Sequence, residues 1–325
     1  MAPGCAAVGG ARPGTLVAAV GPGTTMSTPF KIRLRTGIGR PLDFAHASNR
    51  YAVAVTALAG LGTLLWRWAT GADDIWGWSF RMALAVFLGW AIGRELDPDD
   101  TGSAALASLI VIPLTVLGSP SLWSVVAVLL AVRIAVRTTG ISPHVIDGIA
   151  LVAGAAYLGA RAGTWPALAT LIVAVGTDRY ASPPGPPRTI WFGAAMTVTA
   201  IGAALWLADP PPWTEPTIAE WVLLGLATAG GFLAIVNTRT PTGRTDFHDE
   251  TLSESRLRFG RVLVLFTLVV GVVYLGGPAI GDLGPVWAAI IATTVVHYYR
   301  LLQDRAAPRN RRGEPHRPDV PQPPM

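Results

Sequence analysis

The chain has few charged residues for its length, one cysteine and one lysine. Only 14% of its 325 residues are charged, whereas soluble globular proteins carry about a quarter. This shortage excludes an ordinary water-soluble enzyme, a disordered protein and a typical nucleic-acid-binding module. The single cysteine, Cys5, excludes a disulfide framework and a cysteine-rich zinc site. Nucleotide-binding loops, nucleophile elbows, zincin helices and haem motifs are also lacking.

Apolar residues are abundant instead, and they occur in long runs. Hydrophobic residues make up 51% of the chain, and its mean hydropathy is +0.45. A helix needs about 20 mostly apolar residues to cross a bilayer, with about 17 as the lower limit. Barrel strands would alternate in polarity and be about half as long, so the runs predict helices. Ten runs are found, at residues 51–68, 77–93, 103–118, 120–137, 145–160, 163–178, 188–208, 217–237, 260–276 and 280–299.

We therefore predict an all-α, polytopic transmembrane helix bundle of about ten spans. Several runs are short, and one pair is alternatively interpreted as re-entrant. Residues 1–50 are predicted to form a disordered basic leader, with Met26 as an alternative start, and residues 301–325 a disordered basic tail. One integral membrane domain would occupy residues 51–300, and both basic termini would contact anionic lipid.

The distribution of basic residues predicts the orientation of the bundle. With the N-terminus inside, 22 of the 25 Lys and Arg residues fall on the cytoplasmic side, as the positive-inside rule requires. An even number of spans then places both termini in the cytoplasm, at the cell membrane. Eight tryptophans fall near the predicted outer ends and are interpreted as an interfacial belt; they are Trp66, Trp68, Trp76, Trp78, Trp123, Trp165, Trp213 and Trp287.

Recurring motifs suggest an internal duplication. The sequence Ala156-Tyr-Leu-Gly159, followed by Trp165, resembles Val273-Tyr-Leu-Gly276, followed by Trp287. A second pair of motifs recurs in the same order. We interpret spans 1–4 as a parallel copy of spans 7–10, with the fifth and sixth spans between them. Chance matching of small and aromatic residues at helix ends is the alternative.

Two loops that are equivalent under this duplication are acidic, although the positive-inside rule favours arginine there. They follow the second and eighth spans. Carboxylates facing one cleft could hold Mg²⁺, which would in turn hold diphosphate oxygens. The alternative is a polar cap, because the first loop also has the composition of a turn and helix N-cap. The candidate metal ligands in the two loops are Asp97, Asp99, Asp100, Asp246, Asp249 and Glu250.

Basic residues near these loops are candidate phosphate ligands, since the guanidinium fork fits phosphate oxygens. They are Arg94, Arg137, Arg179 and Arg244. At the start of the fifth span, His144 and Asp147 lie three residues apart, so they would share a helical face. Asp147 is a further candidate metal ligand, or a base paired with His144, which is a candidate ligand-binding residue. The alternative for this pair is compensation of the helix dipole.

Three classes of function remain for such a chain. The preferred hypothesis is a cytoplasm-facing site for a phosphorylated or diphosphate, lipid-like ligand, with Mg²⁺ as a possible cofactor. The second is a transporter of a neutral or lipidic solute. The third is a non-catalytic subunit of a membrane complex, which would have a membrane-protein partner. Nucleic acid is not an expected partner under any of the three.

Overall fold

The computed structural model describes residues 36, 38–39, 42–115, 118–207, 209, 213–248 and 250–306. All named elements in these ranges are helices, which confirms the prediction of an all-α chain. The main helices are α1 (Ala47–Ala69), α2 (Ile75–Leu96), α3 (Thr101–Leu114), α4 (Leu122–Val136), α5 (Val145–Gly159), α6 (Trp165–Thr177), α7 (Arg188–Leu207), α8 (Ile218–Val236), α9 (Glu254–Leu275), α10 (Pro278–Asp282) and α11 (Gly284–Ala306). Most of the predicted leader and most of the predicted tail lie outside the described residues, as does Met26. Helix α1 begins at Ala47, within the predicted leader, and α11 ends at Ala306, within the predicted tail.

Each of the ten predicted apolar runs overlaps one main helix, and the tenth also includes the end of the short helix α10. Five helices, α1, α2, α7, α8 and α9, are long and apolar enough to cross a membrane. Helices α3, α4 and α5 have only 14 or 15 residues, or about 22 Å at 1.5 Å per residue. The structure therefore supports a membrane protein, whereas the count of ten crossings stays a prediction.

The bundle has buried inner helices and a rim of exposed ones. In α9, half of the most apolar segment is buried inside the protein, whereas in α1 only 6% of the corresponding segment is buried. In α11, a run of five residues from Val286 to Ile290 is completely buried. Helix α1 exposes Leu58, Leu65 and Trp66 on its outer face. An apolar surface of this kind marks a lipid or protein contact rather than a water-exposed face, which agrees with a bilayer environment.

The contacts between helices do not reproduce the predicted duplication. Helix α1 packs mainly on α2, whereas α7, its proposed equivalent, packs mainly on α5 and α6. The recurring tyrosines nevertheless have similar partners. Tyr157 packs edge-on against Trp123, with ring centroids 5.2 Å apart, and Tyr274 stacks on Trp165 at 5.5 Å. The duplication is therefore not confirmed.

The predicted tryptophan belt is correct only in part. Trp66, Trp76 and Trp213 are exposed at the ends of helices or in the adjoining loop, as an interfacial role requires. Trp287 is 0% exposed, so its assignment to the belt was wrong. It belongs to α11, which is surrounded by α2, α3, α8 and α9, and its side chain is enclosed by the bundle.

Candidate functional site

The loops that were predicted to carry the chemistry lie together at one end of the bundle. The amide of Asp246, between α8 and α9, donates to the carbonyl oxygen of Thr138, between α4 and α5, at 3.1 Å. Ser253 Oγ donates to the carbonyl oxygen of Ser182, between α6 and α7, at 2.7 Å. We call this end, which also includes the α2–α3 loop, the loop face. The structure thus brings the two acidic loops to the same side of the protein.

Asp99 joins the two acidic loops directly. Its Oδ2 accepts from the amide of Thr242 at 2.8 Å, and its Oδ1 accepts from the amide of Gly243 at 2.7 Å. Two adjacent amides that share one carboxylate form a charge-assisted contact. Asp99 therefore fixes the start of the α8–α9 loop against the α2–α3 loop, and both of its oxygens have a partner.

Asp100 has the cap geometry that was the alternative to a metal site. It is the N-cap of α3, where its Oδ1 accepts from the amide of Gly102 at 2.7 Å. An oxygen at this position satisfies one of the free amides of the first helical turn. The other oxygen forms an ion pair with Arg300, near the end of α11. Asp100 therefore connects the start of α3 to the end of α11.

Asp97 is the C-cap residue of α2 and is partly buried. It accepts a hydrogen bond from Ser103 Oγ at 2.6 Å. Burial raises the pKa of Asp97 above its ordinary 3.8, because the low-dielectric surroundings disfavour the carboxylate more than Ser103 and the nearby Arg261 favour it.

A polar cavity of about 240 Å³ opens beside Asp97. It lies between the α2–α3 loop, the start of the α8–α9 loop, α9 and the last turns of α11. We call it the α9–α11 cavity. Its charged and titratable lining residues are Asp97, Asp99, Arg239, Arg261, His297 and Arg300.

Arg261 is the most firmly held of these side chains. Its Nε donates to the carbonyl oxygen of Leu96, and its Nη1 donates to the carbonyl oxygen of Ala234, both at 3.0 Å. Nη1 also donates to Thr238 Oγ1 at 3.1 Å. The side chain is almost fully buried, at 4% exposure. The guanidinium is thereby oriented before any ligand arrives, which lowers the entropic cost of binding an anion.

His297 contributes a polar atom that lacks a partner. The residue is 8% exposed, and its buried Nε2 makes no hydrogen bond to the described part of the protein. A buried polar group without a partner is unfavourable by about 1–3 kcal/mol, so it is usually satisfied by water or a ligand. Because His297 lines the α9–α11 cavity, a polar group bound in the cavity would be able to satisfy this nitrogen.

Sequence analysis missed the residues that line this cavity from α9 and α11. His297 and Arg300 end the last apolar run, where they have the pattern of an interfacial anchor, and Arg261 lies at the start of the ninth. Their spacing contains a weak signal, since His297 and Arg300 are three residues apart on one helix and so share a face. Arg239 follows α8 in sequence and was not distinguished from other basic loop residues.

The predicted arginine ligands are dispersed over the loop face. Arg94 donates to Asn49 Oδ1 at 2.7 Å and lies over the ring of Trp90. Arg179 donates to a carbonyl oxygen of its own loop. Arg244 lies on the exposed α8–α9 loop, where it forms an isolated β-bridge with Thr251. Arg94, Arg179 and Arg244 are not among the residues that line the α9–α11 cavity.

Arg137, the fourth predicted arginine, belongs to a buried ion cluster. Its Nη2 binds Asp178 Oδ2 at 2.6 Å, and Arg256 Nη1 binds Asp178 Oδ1 at 3.1 Å. Arg256 also donates to the carbonyl oxygen of Ala135 at 3.0 Å. The cluster ties together α4, the turn after α6 and the start of α9. Sequence analysis missed Asp178 and Arg256, because they lie far apart in the chain.

His144 and Asp147 form a helix cap. His144 is the exposed N-cap residue of α5, and its amide donates to Asp147 Oδ2 at 2.8 Å. Asp147 itself is buried, at 4% exposure. This is the arrangement expected of dipole compensation at a helix start, which was the alternative interpretation of the pair.

The remaining candidate metal ligands lie on the α8–α9 loop. Asp246 and Glu250 are exposed there, and Asp249 lies outside the described residues. Among the residues that the structure describes, no group of three or more His, Cys, Asp or Glu side chains is arranged to hold a metal ion. A cage made of protein ligands alone is therefore not seen in this part of the chain.

No family model matches the chain, and no curated protein or solved structure is significantly similar to it.

Proposed function

We propose that this chain is a polytopic protein of the cell membrane, with about ten crossings and with the loop face and both termini in the cytoplasm. The ten helices that match the predicted runs support this topology, because four of their connecting loops meet at one end. That end carries most of the basic residues of the described loops, which agrees with the positive-inside rule. A duplication relating the first four spans to the last four is part of the same proposal.

We further propose that the α9–α11 cavity binds the phosphate or diphosphate group of a lipid-like ligand. The observation that carries this proposal is the buried, oriented Arg261 beside the unpartnered Nε2 of His297. Arg239 and Arg300 line the same cavity, so three guanidinium groups, whose shape fits phosphate oxygens, surround it. A cavity at the bilayer surface would let the apolar part of the ligand remain in the membrane.

Mg²⁺ fits this proposal through Asp97. Magnesium commonly uses one or two protein carboxylates together with substrate phosphate oxygens and water, rather than a full protein cage. Asp97 is a partly buried carboxylate in the lining, whereas both oxygens of Asp99 already bind backbone amides. When bound, the ion would neutralise phosphate charge next to Asp97 and orient the head group. We expect Asp97, rather than the exposed Asp246, to determine any Mg²⁺ dependence.

The proposal is tested by equilibrium binding of dodecyl diphosphate to the purified full-length protein in detergent, with and without Mg²⁺. Saturable binding that is stronger with Mg²⁺ is expected. Asp97→Asn should abolish the Mg²⁺ effect, while Asp246→Asn should leave it unchanged. Dodecanol is the control ligand, since it has the same chain without the phosphate groups. Equal binding of dodecanol and dodecyl diphosphate would contradict a phosphate site.

A further inference from the structure

The ion cluster around Asp178 contains more positive than negative charge. Arg137 and Arg256 share this one carboxylate, and the three side chains are 11%, 2% and 0% exposed, respectively. Two guanidinium groups and one carboxylate leave one positive charge uncompensated. An unbalanced charge away from water is unfavourable unless a counter-ion or further hydrogen bonds compensate it.

The two arginines of the cluster differ in how many of their N–H donors have hydrogen-bond partners. Arg256 is hydrogen-bonded through Nε and both Nη atoms, to the carbonyl oxygens of Pro183 and Ala135 and to Asp178. Arg137 has a buried Nε with no hydrogen-bond partner in the described part of the chain. The neighbouring Arg188 donates to a backbone carbonyl oxygen. Within the cluster, Arg137 is therefore the arginine with an unused N–H donor, at Nε.

A small pocket lies beside the two arginines of the cluster. It has a volume of about 50 Å³ and lies between α4, the α6–α7 loop and the α8–α9 loop. Besides Arg137 and Arg256, its lining includes Thr245, Glu250 and Ser253. We call it the Arg137 pocket. The volume exceeds the 10–15 Å³ needed for one water molecule, but it is much smaller than the α9–α11 cavity.

We propose that the Arg137 pocket is a second anion site, which takes a single small oxyanion of the phosphate class from solution. The ion would accept hydrogen bonds from Arg137 Nε and from the hydroxyl group of Thr245, and it would balance the charge of the cluster. Glu250 is the opposing charge in the lining; it is exposed and lies at the edge of the pocket. The site would hold the loop face together when phosphate is present. This inference does not depend on the function proposed for the α9–α11 cavity.

Titration of the purified full-length protein with inorganic phosphate tests this inference, with the thermal unfolding midpoint as the readout. The midpoint should rise saturably, because a ligand that binds the folded state stabilises it. Arg137→Gln should weaken the apparent Kd by about tenfold or more, as expected for loss of a charged hydrogen-bond donor. Glu250→Gln should strengthen it by about two- to fivefold, because it removes an exposed opposing charge.

Two control variants assign the effect to the pocket. Arg188→Gln removes an arginine that does not line the pocket and that donates to the carbonyl oxygen of Pro143. Arg239→Gln changes the α9–α11 cavity, and both variants should keep the phosphate response. Dodecyl phosphate and chloride at equal concentrations distinguish a lipid head group and a simple halide from free phosphate. If Arg137→Gln fails to fold, Glu250→Gln still decides, since an unchanged Kd in that variant would overturn the inference. Loss of the response in Arg239→Gln alone would also overturn it, while leaving the α9–α11 proposal intact.

Discussion

Asp178→Asn should destabilise the protein strongly, because the carboxylate of Asp178 is the one partner shared by two nearly buried guanidinium groups. The side chain of Asp178 is completely buried, and it accepts from Arg137 at 2.6 Å and from Arg256 at 3.1 Å. Asparagine has nearly the same shape, so the substitution changes charge and hydrogen bonding rather than packing. It leaves one acceptor oxygen and turns an amide group toward the second guanidinium.

The magnitude follows from the two contacts. Each hydrogen bond to a charged group contributes about 1.5–3 kcal/mol. Asparagine can keep one of the two, and the arginines then lose their shared counter-ion in a buried site. Removing one partner from a buried ion pair costs about 3–5 kcal/mol. We therefore expect Asp178→Asn to lower the free energy of unfolding by about 3–5 kcal/mol.

Equilibrium unfolding in mixed micelles, followed by circular dichroism, measures this difference. Arg258→Gln is the matched control, because it breaks the exposed Arg258–Glu254 pair, whose loss should cost less than about 1 kcal/mol. A loss for Asp178→Asn as small as that of the control would refute the account of the cluster. The buried charges would then have to be compensated by something other than Asp178.

Three further predictions concern single positions. Burial raises the pKa of Asp97 above 3.8, so the folded state holds this proton more tightly than the unfolded state does. The stability of the wild-type protein should therefore fall relative to that of Asp97→Asn as the pH rises from 3.8 through the raised pKa. Parallel profiles of stability against pH for the two proteins would contradict this. Asp99→Ala should speed hydrogen exchange at the two amides that the carboxylate accepts from, and unchanged exchange would show that the contact does not hold the loop. Gly276 has φ +73°, and a Cβ there would overlap the carbonyl oxygen of Thr214; Gly276→Ala should cost about 2 kcal/mol or more in thermal unfolding. Gly62→Ala lies inside α1 with open space around the new Cβ, so it should not destabilise the protein.

The helices could be predicted from the sequence because apolar runs of this length have few other structures in a bilayer. The same local information located Asp100 and Asp147 at helix starts, where capping was one of the two interpretations considered. It could not place Trp287, since the residues next to a tryptophan in the sequence do not show whether other helices cover its ring. Only the packing of α11 among four other helices shows that this ring is buried.

The cavity could not be predicted, because its residues come from separate parts of the chain. Arg261 begins an apolar run, and its partners are the carbonyl oxygens at the ends of α2 and α8. His297 lies in α11, and Arg239 lies in the loop after α8. Sequence analysis selected acidic loops by composition, and it was right to expect that they lie on one side. It selected Arg94 and Arg179 by proximity in sequence, whereas their side chains bond elsewhere.

The most direct test of the central claim, a phosphate site in the α9–α11 cavity, is the Kd of dodecyl diphosphate measured in parallel for three proteins. Arg239→Gln removes an exposed arginine that lines the cavity, and Arg258→Gln removes an exposed arginine of α9 that does not. The account predicts a Kd about tenfold or more weaker for Arg239→Gln and an unchanged Kd for Arg258→Gln. Equal Kd values for the wild-type protein and both variants would contradict it.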